Sequence, residues 1–291
     1  MGYPVGYRRL DVPDATLNLT LPLVLLYPGQ EPEQPEALGP YLLSVARNAS
    51  PAAGQFPVVL ISHGTGGSGM VYRTLAHSLA SEGFIIGLPE HPHNNHANDS
   101  WAGTPQNLTA RPRHLQLALN ALLEDPQIGP VALPGSVALI GHSLGGYTAL
   151  ALAGGTPTTL PHESADGQPR PIPTPADSRI RALVLLAPAT PWFREPETLR
   201  QVGVPILLLT AEKDEHTLPW HGQNVLQGVP DPAQVQHRVV SNAGHFSFLS
   251  PFPTERISQA FAPSQDPPGF DRAQFQRELQ AEVLTFLRAV L

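Results

Sequence analysis

Ser143 lies at the centre of a glycine-bracketed segment, Gly141–Gly145, that matches the pattern G-x-S-x-G. The apolar run SVALI precedes this segment and predicts a strand, and LGGYTALALA follows it and predicts a helix. Glycine removes the Cβ atoms that would clash at so tight a reversal, and the helix N-terminus favours developing negative charge. The pattern therefore predicts that Ser143 is a nucleophile, with an ordinary strand-to-helix turn as the alternative.

Two later loops offer the partners that a serine nucleophile needs. A serine hydroxyl requires a base to remove its proton, and the base requires an orienting acid. The loop AEKDEH follows one predicted strand and offers Asp214, with Glu215 in reserve, and SNAGHFSF follows the last predicted strand and offers His245. Because the carboxyl ends of parallel strands lie at one edge of a sheet, we expect Ser143, Asp214 and His245 to meet there.

A glycine-rich loop, residues 63–68, lies between another predicted strand and helix. In an acyl-transfer enzyme built on this plan, one backbone N–H of such a loop stabilises the oxyanion, and a second comes from the residue after the nucleophile. We assign these two N–H groups to Thr65 and Leu144. A glycine turn without a catalytic part is the alternative.

The same glycines permit a second interpretation. Gly64, Gly66 and Gly69 spell G-x-G-x-x-G, and Glu90 ends the next predicted strand about 20 residues on, where a dinucleotide-binding fold carries its ribose-binding acid. This hypothesis leaves the serine, the acid and the histidine unexplained, whereas the nucleophile hypothesis also accounts for the glycines. A nucleotide-binding oxidoreductase is therefore kept as a distant alternative.

Several side chains are candidates for lining a substrate pocket. Three histidines and a carboxylate lie within residues 90–96, and since this loop leaves the same sheet edge, we expect it to line the pocket rather than bind a metal. Trp192 is a candidate hydrophobic wall, with a surface aromatic as an equal alternative. The candidate pocket residues are His142, Glu90, His91, Trp192 and Phe246.

Strands and helices alternate along the chain, which predicts a mostly parallel sheet covered by helices on both faces. Predicted strands are 15–21, 23–27, 56–62, 84–88, 136–140, 181–187, 204–210 and 235–240. Predicted helices are 70–81, 114–123, 144–153 and a terminal helix that begins near Asp271. Two proline-rich loops interrupt the pattern. We expect the first, 156–177, to be a surface loop, with a lid as the alternative, and the second is 251–269. We predict one domain over residues 1–291.

The composition limits the classes of partner that the protein could bind. The net charge is −7, from 17 basic and 24 acidic residues, which argues against nucleic acid or an anionic membrane surface as a partner. No run approaches the roughly 18 to 20 apolar residues of a membrane span, and no apolar segment follows Arg8 and Arg9. We therefore expect a cytoplasmic protein, although a processed secreted form would show the same N-terminus. Oligomeric state is not indicated.

Five segments together resemble the α/β-hydrolase superfamily: VVLISHGTGGS, SEGFIIGLPEHPHNN, VALIGHSLGGYTALALAG, ILLLTAEKDEHTLPW and AGHFSFLSP. Within it they are most similar to bacterial predicted dienelactone hydrolases related to platelet-activating-factor acetylhydrolases. The resemblance covers about residues 56–249. It implies the α/β-hydrolase fold, no cofactor, a triad of Ser143, Asp214 and His245, and oxyanion donors Thr65 and Leu144.

Three departures from the relatives refine the expected chemistry. True dienelactone hydrolases use cysteine, so a serine nucleophile favours ester hydrolysis over that lactone chemistry. Glu90 and His114 stand where related sequences tend to carry aspartate. The segment 187–204 is too short for a large helical cap, which indicates an open pocket for small or flexible acyl esters.

We therefore predict a serine carboxylesterase that acts on a small-molecule ester through an acyl-enzyme. A lipase, thioesterase or polyester hydrolase on the same triad is the alternative within hydrolases. A binding module on an inactive hydrolase scaffold is the alternative that is not an enzyme.

Overall fold

The structure, a computed structural model, describes residues 2–164, 166–195 and 197–291. One ten-stranded sheet has the order β10-β9-β8-β7-β5-β6-β2-β1-β4-β3. The strands are β1 Val5–Asp14, β2 Leu19–Pro28, β3 Gln34–Leu38, β4 Tyr41–Arg47, β5 Phe56–Ser62, β6 Ile85–Pro89, β7 Ala132–His142, β8 Ile180–Leu186, β9 Ile206–Ala211 and β10 Val235–Val240. The helices are α1 Arg73–Ser81, α2 Pro105–Glu124, α3 Leu144–Leu152, α4 Trp220–Gly228 and α5 Arg272–Val290.

The strands from β5 to β10 run parallel and form the half of the sheet that carries the candidate site. Strands β5 to β9 are apolar on both faces because helices cover both sides. Val58 and Leu60 of β5 pack into one hydrophobic core, whereas Val59 and Ile61 pack into a second core on the opposite face. Helices α2, α3 and α4 cover the first face, and α1 and α5 cover the second. The predicted mostly parallel sheet with helices on both faces is confirmed.

Local sequence accounts for the helix starts. The Asp271 carboxylate accepts a hydrogen bond from the Gln274 N–H at 2.9 Å and caps α5, as predicted. Thr104 caps α2, where its hydroxyl accepts from the Asn107 N–H at 3.2 Å, and Pro105 takes the first helical position. Helix α2 begins nine residues before the predicted start, and α4 was not predicted. Among the described helices, none is long and apolar enough to cross a membrane.

Of the first predicted strand pair, the second member, 23–27, lies within β2, but the first member was wrong. Residues 15–21 do not form one strand, because Asp14 turns the chain by accepting from the Thr16 and Leu17 N–H groups at 3.0 and 3.2 Å. Strand β1 lies before this turn, where exposed charged residues alternate with buried ones and conceal the apolar pattern. Strands β3 and β4 lie in the polar stretch in which no strand was predicted, at the edge of the sheet.

Candidate active site

Ser143 occupies a strained turn between β7 and α3. Its φ of 54° and ψ of −122° lie in a region that a residue with a Cβ rarely adopts. A Cβ at Gly141 would lie 2.2 Å from the Gly145 carbonyl oxygen, and a Cβ at Gly145 would lie 1.9 Å from the Ser62 carbonyl oxygen. Both glycines are therefore required for this turn, which projects the serine beyond the carboxyl edge of the sheet.

Two cavities share Ser143 as a lining residue. The small cavity, of about 200 Å³, is also lined by Thr65, Leu144, Asn107, Glu163 and Trp192. The large cavity, of about 500 Å³, is also lined by Leu160, Pro161, His162, His216 and Thr217. The serine side chain thus faces a space on each side of it.

Asp214 and His245 form the predicted acid–base pair. The His245 Nδ1–H donates to Asp214 Oδ2 at 2.8 Å, across the loops that follow β9 and β10. Asp214 also accepts from the backbone N–H groups of His216 and Thr217, at 2.8 and 2.7 Å, and from the Thr217 hydroxyl at 2.7 Å. Burial raises the pKa of Asp214, but the His245 and Thr217 hydrogen bonds outweigh it and hold the pKa at about 2. The carboxylate is therefore ionised at neutral pH.

The base lies against the residue beside the serine. The rings of His142 and His245 have centroids 4.8 Å apart, and His142 Nε2–H donates to the His245 carbonyl at 2.9 Å. Ser143 Oγ and the His245 ring form no hydrogen bond with each other in the described structure. Such contacts are often long without substrate and tighten in the reacting complex. The structure thus brings acid and base together, and it anchors the base to the chain next to Ser143.

His142 does not line the pocket, which corrects the prediction made from its place in the turn. It is buried and lines neither cavity. Because Nε2 donates to a carbonyl, Nδ1 is the acceptor for the Tyr72 hydroxyl at 2.9 Å. Burial and the nearby His245 lower the pKa of His142 to about 3, so the ring is neutral. Its position fixes the His245 backbone.

Thr65 and Leu144, whose backbone N–H groups are the predicted oxyanion donors, both lie near Ser143. Both residues line the small cavity with Ser143. A Cβ at Gly64 would lie 3.6 Å from Ser143 Oγ, so the glycine loop runs directly beside the serine. Within the described ranges, no backbone carbonyl accepts from either N–H. The role of these N–H groups as oxyanion donors stays a prediction.

A buried arginine that was not predicted as a site residue contacts the glycine loop. Arg111 of α2 is fully buried, and burial lowers its pKa to about 9, which leaves it cationic at neutral pH. Its guanidinium donates to the His63 carbonyl, to Asn94 Oδ1 at 2.5 Å and to the Thr148 hydroxyl at 3.0 Å. Among the described ion pairs, none includes Arg111. Hydrogen bonds to neutral groups therefore hold the charge.

Two residues that accept hydrogen bonds from Arg111 also form hydrogen bonds with Thr65 and Leu144, the predicted oxyanion donors. The Asn94 amide donates to the Thr65 hydroxyl at 2.8 Å. The Thr148 hydroxyl donates to the Leu144 carbonyl at 2.9 Å. One guanidinium thus connects the glycine loop with the first turn of α3, and it fixes the two donor segments relative to each other.

Glu90 and His91 also lie outside the pocket, contrary to the prediction. Glu90 Oε1 accepts from the Ser68 hydroxyl at 2.6 Å and from the Gly69 N–H at 2.8 Å, and burial raises the pKa of this carboxyl. His91 is fully buried, with Nε2 2.9 Å from the Ser62 hydroxyl. Neither residue lines either cavity. Because Glu90 is bonded to the glycine loop itself, it does not face a ribose site, which removes the support for the oxidoreductase alternative.

The histidines of residues 90–96 diverge. His91 is buried, His96 is exposed, and the His93 ring stacks on Trp101 with centroids 4.5 Å apart. No group of three or more metal-ligating side chains that could hold an ion occurs in the described part of the chain. The close spacing in sequence thus does not bring these rings to one point.

The two aromatic candidates occupy different places. Trp192 lines the small cavity, and its Nε1–H donates to the Glu163 carboxylate at 3.1 and 3.2 Å. Phe246 lines neither cavity and instead packs against the His216 and His245 rings, with centroids 5.2 and 5.1 Å away. Trp192 is therefore placed to contact a substrate, whereas Phe246 packs against the His245 ring.

Part of the proline-rich loop 156–177, namely residues 160–163, lines the two cavities. Leu160, Pro161 and His162 line the large cavity, and Glu163 lines the small one. Thr217 and His216, which follow Asp214 in the motif AEKDEHT, also line the large cavity and were missed as site residues. Their place directly after the predicted acid was the available signal.

Comparison with known proteins agrees with this architecture. Residues 33–164 match the family model described as chlorophyllase. A ferulic acid esterase from Streptomyces cinnamoneus superposes with a TM-score of 0.72 at 20% identity, covering 99% of this chain and 90% of the other. A dienelactone hydrolase from Anabaena variabilis has a TM-score of 0.56 at 16% identity, with 98% and 99% covered.

A dienelactone hydrolase-like promiscuous phosphotriesterase from metagenomic libraries has a TM-score of 0.61 at 16% identity, with 99% of each chain covered. No curated protein sequence gives a significant match. At these identities the structural likeness establishes the fold. The chain therefore has the α/β-hydrolase fold and resembles the dienelactone hydrolase-like proteins, as its sequence predicted.

Proposed function

We propose that the protein is a serine carboxylesterase that hydrolyses esters of small or flexible acyl groups. The observation that carries the proposal is the 2.8 Å hydrogen bond between His245 and Asp214 at the sheet edge where the strained turn presents Ser143. The similarity to chlorophyllase and to a ferulic acid esterase supports ester hydrolysis in general. The serine mechanism rests on the geometry of the site.

In the first half-reaction, Ser143 Oγ attacks the ester carbonyl carbon and gives its proton to His245 Nε2. The carbonyl π electrons move to oxygen, where the N–H groups of Thr65 and Leu144 donate to the oxyanion. The bond to the alcohol oxygen then breaks, and His245 returns its proton to that oxygen. Asp214 holds the imidazole through Nδ1 and stabilises its cationic form.

In the second half-reaction, His245 removes a proton from water, and the hydroxide attacks the acyl-enzyme carbonyl. Collapse of this intermediate breaks the bond to Ser143 Oγ, which regains its proton from His245. The products are the carboxylic acid and the free enzyme. Apart from the ester and water, every group that takes part in this cycle belongs to the chain.

The two cavities support a placement of the alcohol and acyl parts of the substrate on opposite sides of Ser143. His245 must protonate the leaving alcohol, and the large cavity is lined by His216 and Thr217, which contact the His245–Asp214 pair. The alcohol therefore lies in the large cavity and the acyl group in the small one. The small cavity, of about 200 Å³, has less than half the volume of the large one, of about 500 Å³. This volume favours short acyl groups.

Replacement of the nucleophile tests the proposal. Ser143→Ala is expected to lower kcat for p-nitrophenyl butyrate by about 10⁴-fold or more and to abolish labelling by a fluorophosphonate probe. Ser178, an exposed serine, provides the matched control, and Ser178→Ala is expected to keep both signals. Retained turnover in pure, folded Ser143→Ala protein would refute the assignment.

An acyl-chain series separates the related activities on the same triad. With a constant leaving group, kcat/KM is expected to be highest for short acyl groups and to fall as the chain lengthens, because the volume of the small cavity limits the acyl group that it can hold. A maximum at long chains would indicate a lipase. Preferential turnover of acyl thioesters or of insoluble polyesters would indicate a thioesterase or a polyester hydrolase.

A further inference from the structure

We propose that the small cavity selects acyl groups that carry a hydroxyl, and that Asn107 is the residue that recognises it. This inference rests on the proposed esterase function and specifies its substrate class as short hydroxyacyl esters. It follows from one unpartnered polar side chain and from the chemistry of its neighbours.

Asn107 is a buried polar residue in the wall of the small cavity. Only 1% of it is exposed, yet its side-chain oxygen Oδ1 has no hydrogen-bond partner among the described residues. Its backbone N–H is bonded to the Thr104 cap, which fixes the residue in the first turn of α2. The oxygen has almost no accessible surface, so a substrate group reaches it only when the amide turns toward the small cavity that Asn107 lines. A hydrogen bond formed there would recover the free energy that the buried, unpartnered oxygen costs.

The rest of the cavity favours a hydrogen-bond donor. Glu163 presents a carboxylate that accepts from the Trp192 indole and from the Leu160 N–H, and a carboxylate has further acceptor sites. This charge disfavours an anionic acyl group. A hydroxyl both donates and accepts, so it satisfies the Asn107 amide in either orientation of its oxygen and nitrogen atoms.

The volume of the small cavity is consistent with a short hydroxyacyl group. The acyl group of a 3-hydroxybutyrate ester is short, as the volume of the small cavity, about 200 Å³, favours. Its hydroxyl lies two carbons from the carbonyl that Thr65 and Leu144 would hold. Asn107, Thr65 and Leu144 line the same cavity.

The test compares two esters of the same shape. Ethyl 3-hydroxybutyrate and ethyl 3-methylbutyrate differ by a hydroxyl in place of a methyl group, and each kcat/KM is divided by the hydroxide-catalysed rate of that ester. The wild-type enzyme is expected to prefer one enantiomer of the hydroxy ester by about five- to tenfold. A ratio near one would overturn the inference.

Substitution of the recognising residue then locates the effect. Asn107→Leu is expected to reduce the ratio to near one, because leucine offers no polar atom. Gln106→Leu is the matched control, since Gln106 is the exposed neighbour on the same helix, and it is expected to keep the wild-type ratio. An unchanged ratio in folded Asn107→Leu protein would also overturn the inference.

A second measurement covers the case in which Asn107→Leu does not fold. Competitive inhibition of the wild-type enzyme by 3-hydroxybutyramide is expected to be about five- to tenfold stronger than inhibition by 3-methylbutyramide, and equal inhibition contradicts the inference. Failure of the esterase proposal is distinguishable. In that case neither ester is hydrolysed and the fluorophosphonate probe does not label Ser143, whereas failure of the present inference leaves both activities in place.

Discussion

The two sides of Ser143 are held by different kinds of chemistry. On the acid–base side, one carboxylate, Asp214, fixes His245 and is itself satisfied by four hydrogen bonds. On the oxyanion side, a buried guanidinium, Arg111, holds neutral carbonyl, amide and hydroxyl groups. The first side depends on one hydrogen bond to a carboxylate between two loops, and the second on a network that spans the glycine loop, the loop after β6, α2 and α3.

This difference determines what each side contributes. The Asp214–His245 pair has to change its charge state during catalysis, and an ionised carboxylate stabilises the imidazolium that forms. The Thr65 and Leu144 donors keep their charge and need only a fixed position, which rigid neutral contacts provide. Loss of the carboxylate should therefore affect the reaction itself, whereas loss of the guanidinium should loosen the geometry.

The largest effect is expected from the carboxylate. Asp214→Asn keeps the shape but removes the charge and favours the wrong imidazole tautomer, so kcat is expected to fall by about 10³- to 10⁴-fold. The measurement is steady-state hydrolysis of p-nitrophenyl butyrate. Glu215→Gln, at the exposed reserve acid, is the control and is expected to keep activity. If Glu215→Gln shows the large loss instead, Asp214 is not the orienting acid.

The sequence predicted residues on both sides, the triad on one and the donors Thr65 and Leu144 on the other, but not the arginine that connects the two donor segments. Ser143, Asp214 and His245 each lie within five residues after the end of a strand, so short local patterns predicted that they share one edge of the sheet. Arg111 and Asn107 lie within a helix whose spacing gives no sign of their burial, which depends on contacts with residues distant in the chain. Glu90 showed the opposite error, because its position at a strand end fitted a pocket although its carboxylate turns back to Gly69.

An intermediate effect is expected on the oxyanion side. Arg111→Met keeps the length of the side chain but leaves the His63 carbonyl and Asn94 without their donor, so kcat is expected to fall about 10- to 100-fold with little change in KM. Arg181→Met, at an exposed arginine, is the control. Unchanged kcat in folded Arg111→Met protein would show that the network does not position the donors.

The smallest effect concerns stability in acid. Burial and the nearby Arg111 lower the pKa of His114 to about 3, against an ordinary value of 6.5. Below pH 6.5 the unfolded chain binds this proton and the folded protein does not, so stability is full above pH 6.5 and is lost as the pH falls toward 3. Protonation of His114 in the unfolded chain therefore lowers the free energy of unfolding by roughly 2 to 3 kcal/mol between pH 7 and pH 4.5.

Urea unfolding at these two pH values measures the effect. His114→Leu is expected to reduce the acid-induced loss by about one such increment, while His96→Leu, at an exposed histidine, should leave the loss unchanged. Because His63 and His91 are also buried beside Arg111, with pKa values lowered mainly by burial, acid is expected to weaken the oxyanion side in particular. An identical loss in His114→Leu and wild type would contradict this.

The convergence of both sides on Ser143 is tested most directly by a crystal structure of the protein after reaction with an alkyl fluorophosphonate. We expect phosphorus bonded to Ser143 Oγ, a phosphonyl oxygen within about 3 Å of the N–H groups of Thr65 and Leu144, and His245 Nε2 within hydrogen-bond distance of an oxygen on phosphorus. An adduct on another residue, or a His245 ring that stays out of reach of the adduct, would contradict it.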